Sequence, residues 1–323
     1  MPLFADDPPA SRPDPKNAPD REVRPSATDR AIRTFDNPHG IYLPGGDKPR
    51  GELLLFLPGT NPRPRQAPAA RRFCRTASAC GYHAVYLMYP NDVSAAQVAR
   101  GGATDVDAFS EFRRALVEGA DTPYAKVPRA ESIENRAVKL LRFLERERPR
   151  EGWGAFLDAD GAAVRWEKVA VAGQSQGGGH AAWIATRRRV ARVLCFGSPK
   201  DYDTARRAPA RWYDARPSAT PPARFFAFNN VYDRQGCNYD RQVENLKALG
   251  VYRLGAADVD REKPPYGRAR ALFTRWPGRA GGTDSRDAHT SVIRDNVTAP
   301  DGSPLFAPVW RYMLTEPAES ARG

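Results

Sequence analysis

The stretch Val169-Ala170-Val171-Ala172-Gly173-Gln174-Ser175-Gln176-Gly177-Gly178-Gly179-His180 decides the fold. Four residues that read as a strand run into a Gly-x-Ser-x-Gly turn, Gly173 to Gly177. A helical pattern with Ala181, Ala182, Ile184 and Ala185 follows. Alone, the five-residue pattern recurs by chance. Between a strand and a helix it specifies a sharp turn that exposes the hydroxyl of Ser175. The glycines have steric roles: Gly173 and Gly177 leave room for the turn, and Gly178 and Gly179 let the helix start approach the sheet.

The same alternation extends outward in both directions. Leu53-Leu54-Leu55-Phe56-Leu57 is a continuous apolar run ended by Pro58-Gly59, as expected of a strand buried on both faces of a parallel sheet. A helical stretch from Arg65 to Ala79 follows, with Gly81 as its cap. Ala84 to Tyr89 is the next strand. Residues 132–148 form the clearest helix, with Ile133, Ala137, Leu140, Leu141 and Leu144 on one face. Ser132 is placed to cap its start and Pro149 to end it. Beyond the serine come strands at 193–196, 225–228 and 271–274, and a helix near 240–249. Strands alternating with helices predict an α/β protein with a doubly wound, mostly parallel sheet.

Residues 1–30 are dominated by Pro, Asp, Arg and Ala and read as a disordered tail. The expected domain then spans 31–323. An irregular segment at 91–130 interrupts it, in the place of either a cover over the active site or a mobile surface loop.

Composition narrows the classes. Hydrophobic residues make up 41% of the 323, so the chain is not disordered throughout. No stretch is long and apolar enough for a membrane span. The tail has no apolar core of a signal peptide, which predicts a cytoplasmic protein; a secreted or periplasmic protein whose signal had been removed would read the same. The formal charge is +12, from 50 Lys and Arg against 38 Asp and Glu. The arginines are scattered beside acidic residues and form no run longer than Arg187-Arg188-Arg189, so no specific nucleic-acid partner is expected. The four cysteines lack zinc-site spacing, and a Cys195–Cys237 bridge is left open. Asp92, Asp105 and Asp107 lack a calcium-loop spacing and read as a solvated acidic loop, so no metal is expected.

A serine hydroxyl needs a base to become a nucleophile, and the base needs an orienting carboxylate. In a strand–turn–helix serine site the chain order is Ser, acid, His. Of the four histidines, His39 and His83 precede Ser175, and His180 lies one turn into the following helix. His289 lies in a Gly/Asp/Ser-rich loop after the last expected strand, where the base belongs. Asp233, just past Phe225–Phe228, is the favoured acid; Asp201 and Asp203, after the preceding strand, are its rivals. The backbone N–H of Gln176 is one expected oxyanion donor, helped by the helix N-terminus. The second belongs to the Leu57-Pro58-Gly59-Thr60-Asn61 loop. Pro58 has no N–H, and Thr60 is preferred over Gly59.

Together these features resemble the α/β-hydrolase superfamily, over roughly residues 40–315. Leu57-Pro58-Gly59-Thr60, Gly81-Tyr82-His83 and Tyr89-Pro90-Asn91 resemble a little-characterised bacterial branch of its serine hydrolases. The triple glycine resembles cutinase-like and polyester-hydrolase sequences. One departure is Pro58-Gly59 where the family often has His-Gly before the oxyanion donor. The resemblance implies acyl transfer to water through a serine ester, with Ser175, Asp233 and His289 as triad and no cofactor.

The leading function is therefore a serine hydrolase acting on a small-molecule or lipid-like carboxylic ester. The same triad would serve an acyltransferase or amidase. A non-catalytic hydrolase-fold binding protein with a basic surface is the alternative of another class. The short connection between Phe196 and Phe225 leaves no room for a large cap domain. Tyr89, Tyr202, Trp212, Tyr213 and Tyr232 read as packing residues or as the lining of an acyl pocket. Arg100, Arg113 and Arg114 read as surface or ion-pair arginines, or as contacts for a substrate carboxylate.

Overall fold

The computed structural model describes residues 15–46, 48–60, 70–100, 105–214, 217–278 and 285–318. Its strands are β1 (Arg21–Val23), β2 (His39–Tyr42), β3 (Leu53–Leu57), β4 (His83–Tyr86), β5 (Val169–Gln174), β6 (Arg192–Phe196), β7 (Tyr202–Asp203), β8 (Ala208–Pro209), β9 (Phe225–Asn230), β10 (Ala256–Asp258) and β11 (Ala271–Thr274). Its helices are α1 (Pro25–Thr28), α2 (Arg71–Ala79), α3 (Ala95–Arg100), α4 (Ala108–Arg114), α5 (Ile133–Glu147), α6 (Gln176–Arg187), α7 (Tyr239–Ala248), α8 (Ser285–Ser291) and α9 (Ala307–Thr315).

Nine strands form one sheet in the order β1-β2-β4-β3-β5-β6-β9-β11-β10. Pairing is parallel from β4 to β10, and β1 and β2 are antiparallel to their neighbours. Because successive side chains alternate between faces, each central strand feeds two cores. Leu53, Leu55, Leu57, Val169, Val171 and Val193 pack under α4, α5 and α6. Leu54, Phe56, Ala170, Ala172, Leu194 and Phe196 pack against α2 and α9. This is the doubly wound arrangement that the apolar runs require. Chain progression reverses between β3 and β5, a switch point where a crevice opens beyond the strands' carboxyl ends. Ser175 lies there.

Helix α5 begins as the sequence implies: the Ser132 side chain accepts from the N–H of Asn135. Three expectations change. Of the segment read as a disordered tail, 1–14 lies outside the described residues, whereas β1 pairs with β2 through Arg21–Ile41 and Val23–His39. Hydrogen bonding to an edge strand orders this stretch although it has few apolar residues. The segment at 91–130 is largely helical, with α3, α4 and a π-helical turn at Ala115–Gly119. Phe109, Phe112, Leu116 and Val117 of this segment are buried in the core. His289 lies on α8 rather than in a loop.

Candidate active site

The turn at Ser175 is forced by packing. Ser175 has φ 53° and ψ −118°, a backbone state costly for a residue with a Cβ. Such strain persists only where the surroundings over-determine it. A Cβ on Gly177 would lie 2.0 Å from Leu57 O, so α6 presses on the end of β3. A Cβ on Gly179 would lie 2.3 Å from Arg113 Nη2. The room at Gly179 thus admits an arginine from α4 instead of easing contact with the sheet. Helix α6 starts at Gln176, and its N-terminal dipole points at the turn.

Asp233 and His289 meet. His289 Nδ1 is 2.8 Å from Asp233 Oδ2, and the Asp233 side chain is fully buried. Two serines of α8 fix this meeting: Arg234 N–H donates to Ser285 Oγ, and Asn230 Nδ2 donates to Ser291 Oγ. Asp233 also accepts from Lys200 Nζ at 2.9 Å, from Gln242 Nε2 at 3.0 Å and from the N–H of Gln235 at 2.9 Å. Burial alone would raise its carboxyl, but His289 and Lys200 outweigh burial and pull it down to about 2. His289 is pushed below the usual histidine range by burial and then by the Lys200 charge, with Asp233 opposing. A carboxylate only accepts, so Nδ1 carries the proton of the neutral ring and Nε2 is left as an acceptor.

That acceptor faces the side-chain amide of Gln174, Nε2 to Nε2 at 3.1 Å. Ser175 Oγ is half-buried and hydrogen-bonds to nothing among the described residues.

The other histidines are used elsewhere. His39 Nδ1 accepts from the N–H of Met88, and His83 Nε2 bonds to Glu151 O. His180 is buried with Nδ1 3.3 Å from Arg113 Nη1. The rival acids are likewise taken. Asp201 forms a bidentate pair with Arg113, and Asp203 pairs with Arg206.

The loop after β3 is held by its carbonyls. Tyr89 Oη donates to Pro58 O at 2.6 Å, and Asn91 Nδ2 donates to Gly59 O at 2.7 Å. In a trans peptide the N–H points opposite to the C=O. Anchoring Gly59 O on Asn91 therefore turns the Thr60 N–H the other way. The N–H groups of Thr60 and Gln176 have no acceptor among the described residues. The Gln176 side chain joins the loop to the 91–130 segment: its Oε1 accepts from Thr60 Oγ1 and the N–H of Ala95, and its Nε2 donates to Val93 O.

Several expectations about the surroundings are resolved. Tyr89, Tyr202, Trp212 and Tyr213 are buried packing residues, and Tyr232 alone of that group is half-buried. Arg113 is a buried ion-pair arginine, whereas Arg114 bonds to Glu111. All four cysteines, Cys195 and Cys237 included, are free thiols. Among the described residues no group of three His, Cys, Asp or Glu side chains could hold a metal ion. Nor is any described helix long and apolar enough to cross a membrane. Sequence reasoning missed Gln174 and Lys200 as members of this neighbourhood, and it gave Tyr89 and Asn91 no part in holding the loop after β3. Only their positions at strand ends could have flagged them.

Ser175 thus stands at positive φ between the central strand β5 and the N-terminus of α6, at the carboxyl end of a doubly wound, mostly parallel sheet. The fold is that of the α/β-hydrolases. No family model and no curated protein matches the sequence. Among solved structures, a Thermus thermophilus protein is 15% identical, covering 91% of this chain and 96% of that one at a TM-score of 0.42. A thermophilic esterase from the planctomycete Thermogutta terrifontis is 14% identical, covering 79% and 80% at 0.38. A Pyrococcus horikoshii acylaminoacyl peptidase is 13% identical, covering 82% of this chain but 39% of that one at 0.39. Likeness of this order says nothing about chemistry, which rests on the residues themselves.

Proposed function

We propose that this α/β-hydrolase-fold protein is a serine hydrolase that cleaves carboxylic esters through an acyl-enzyme. The reading is carried by the 2.8 Å contact between His289 Nδ1 and the buried Asp233 carboxylate, with Nε2 turned to the Gln174–Ser175 turn. Ser175 Oγ attacks the ester carbonyl, and its proton passes to His289 Nε2. Asp233 stabilises the imidazolium through Nδ1. The N–H groups of Gln176 and Thr60 receive the negative oxygen of the tetrahedral intermediate. The C–O bond to the leaving alkoxide breaks, and the alkoxide takes the proton from Nε2. Water then repeats the sequence on the acyl-serine and releases the acid. That Ser175 Oγ bonds to nothing among the described residues does not count against this, since catalytic hydrogen bonds in unliganded sites often tighten only when substrate binds. The substrate class is a small-molecule or lipid-like ester.

The test is treatment with a fluorophosphonate followed by peptide mass spectrometry. One adduct on Ser175 is expected, lost in Ser175→Ala and in His289→Ala, together with turnover of short-chain aryl esters. A folded wild-type protein that takes no label and hydrolyses no ester would refute the proposal.

A further inference from the structure

Lys200 is a feature of the site that triad chemistry does not require. Its ammonium bonds to both carboxylate oxygens of Asp233, 3.1 Å to Oδ1 and 2.9 Å to Oδ2, and donates to Gln235 O at 2.6 Å. Its side chain is 12% exposed. Oδ2 is the oxygen that His289 Nδ1 also bonds. Two cationic partners thus share one buried carboxylate: the lysine ammonium, which burial pulls below the ordinary lysine range while Asp233 opposes, and an imidazolium that would form on proton transfer. An acid serving His289 alone would leave that oxygen to the ring.

The remaining charges around the base are accounted for. From the loop after β6 comes Lys200, and from the loop after β9 come Asp233 and the exposed Arg234. From its own helix come exposed Arg286 and half-buried Asp287, the latter bonded to Arg294 at 3.2 Å. The end of β5 contributes neutral Gln174 and Ser175. Beside Lys200, burial pushes the Cys237 thiol up to about 12, so it is neutral. Asp201 is committed to Arg113. Lys200 is therefore the cation placed to act on His289 through the shared carboxylate.

We infer that Lys200 is a positioning residue for the base. It holds the Asp233 carboxylate in place and ionised while competing with the imidazolium for it, so that His289 stays neutral and ready to accept the serine proton in mildly acidic solution. The inference rests on the reading of His289 as base. In physical terms, a cation beside the carboxylate weakens proton binding on the ring it supports. The fixed geometry is retained, and the working range extends toward acid.

The test reads His289 directly. Imidazole nitrogens are followed by long-range proton–nitrogen NMR through a pH titration of wild type, Lys200→Met and Lys200→Arg, with His289→Asn assigning the signal. The wild-type midpoint is expected below the ordinary value of about 6.5. Lys200→Met should raise it by about one unit, and Lys200→Arg should leave it near wild type. The pH of half-maximal fluorophosphonate labelling should move with it. A purely structural role would instead slow labelling at every pH and leave the midpoint fixed. Should Lys200→Met fail to fold, Lys200→Gln and the wild-type midpoint carry the test. A wild-type midpoint at or above the ordinary value, or one unmoved in the folded charge-removed variant, overturns the inference while a labelled Ser175 keeps the hydrolase reading. A wild-type Ser175 that never labels overturns both.

Discussion

Arg113 and Asp201 close a bidentate ion pair that water does not reach: Nη2 lies 2.6 Å from Oδ1, Nε lies 3.0 Å from Oδ2, and each side chain is 1% exposed. Trp212 Nε1 donates to the same carboxylate, and Arg113 Nη1 donates to Gln176 O in the first turn of α6. One guanidinium thus ties helix α4 to both the loop after β6 and the serine helix. Such pairs cost desolvation when formed, and breaking one strands a buried charge. Arg113→Met should lower stability by about 3–5 kcal/mol. Arg113→Met combined with Asp201→Leu should recover a substantial part, because no charge is then left alone. Urea unfolding of the three proteins decides; a single variant as stable as wild type would show that the pair does not brace this junction.

Gln174 offers a second measurable effect. Its amide meets the lone pair of His289 Nε2, which Ser175 Oγ–H must reach for proton transfer. One lone pair accepts one good hydrogen bond, so amide and hydroxyl compete. The net worth of such a bond is about 1 kcal/mol, or about fivefold in an equilibrium. Gln174→Ala should therefore raise the rate of fluorophosphonate labelling by up to about fivefold. Slower labelling would assign the amide the opposite role, holding the ring in place.

The contrast between these residues explains what could be read in advance. The meeting of Asp233 and His289 was legible because Asp233 follows a strand end and His289 comes late in the chain, in an order with few competitors. The parallel core was legible because Leu53–Leu57 and Val169–Ala172 are apolar on both faces. Edge strands β1 and β10 were not, since each is three residues long and shows no alternation. Helix α9 had a readable face in Val309, Trp310, Met313 and Leu314 and was passed over. The burial of Arg113 and its partner were illegible for a deeper reason. An arginine beside a second arginine reads as surface, and only the fold brings Asp201, 88 residues away, to meet it. Lys200 and Gln174 share that difficulty, because their partners Asp233 and His289 are distant in sequence.

Acid should weaken both activity and stability, in a definite order. Asp233 and His289 each bind protons more weakly folded than unfolded. For such groups stability is fully present above the unfolded pKa and is lost as pH falls through the folded one. His289 makes its loss first, starting near its unfolded value of about 6.5. Asp233 follows between its unfolded value of 3.8 and its folded value of about 2. That second step is worth about 2 kcal/mol. Unfolding free energies measured from pH 8 to pH 2 should fall on the acid side, and Asp233→Asn should flatten the lower part of the curve. A profile that is flat across this range in the wild type would contradict the assigned directions.

The loop after β3 provides a test separate from the triad. Asn91 hydrogen-bonds to neither Ser175 nor His289; its Nδ2 holds Gly59 O at 2.7 Å and so aims the Thr60 N–H. Asn91→Leu keeps the volume and removes the donor. The Gly59–Thr60 peptide is then free to rotate, and the proposed second oxyanion donor is lost for part of the time. Removing such a donor outright costs about 100-fold to 1,000-fold in kcat. A loosened donor should cost less, about tenfold, with KM nearly unchanged, because the interaction is made only in the transition state. Tyr89→Phe, which frees Pro58 O on the neighbouring peptide, should act in the same direction through Gly59. A rise in KM with kcat intact would place Asn91 in substrate binding instead and remove Thr60 from the oxyanion site.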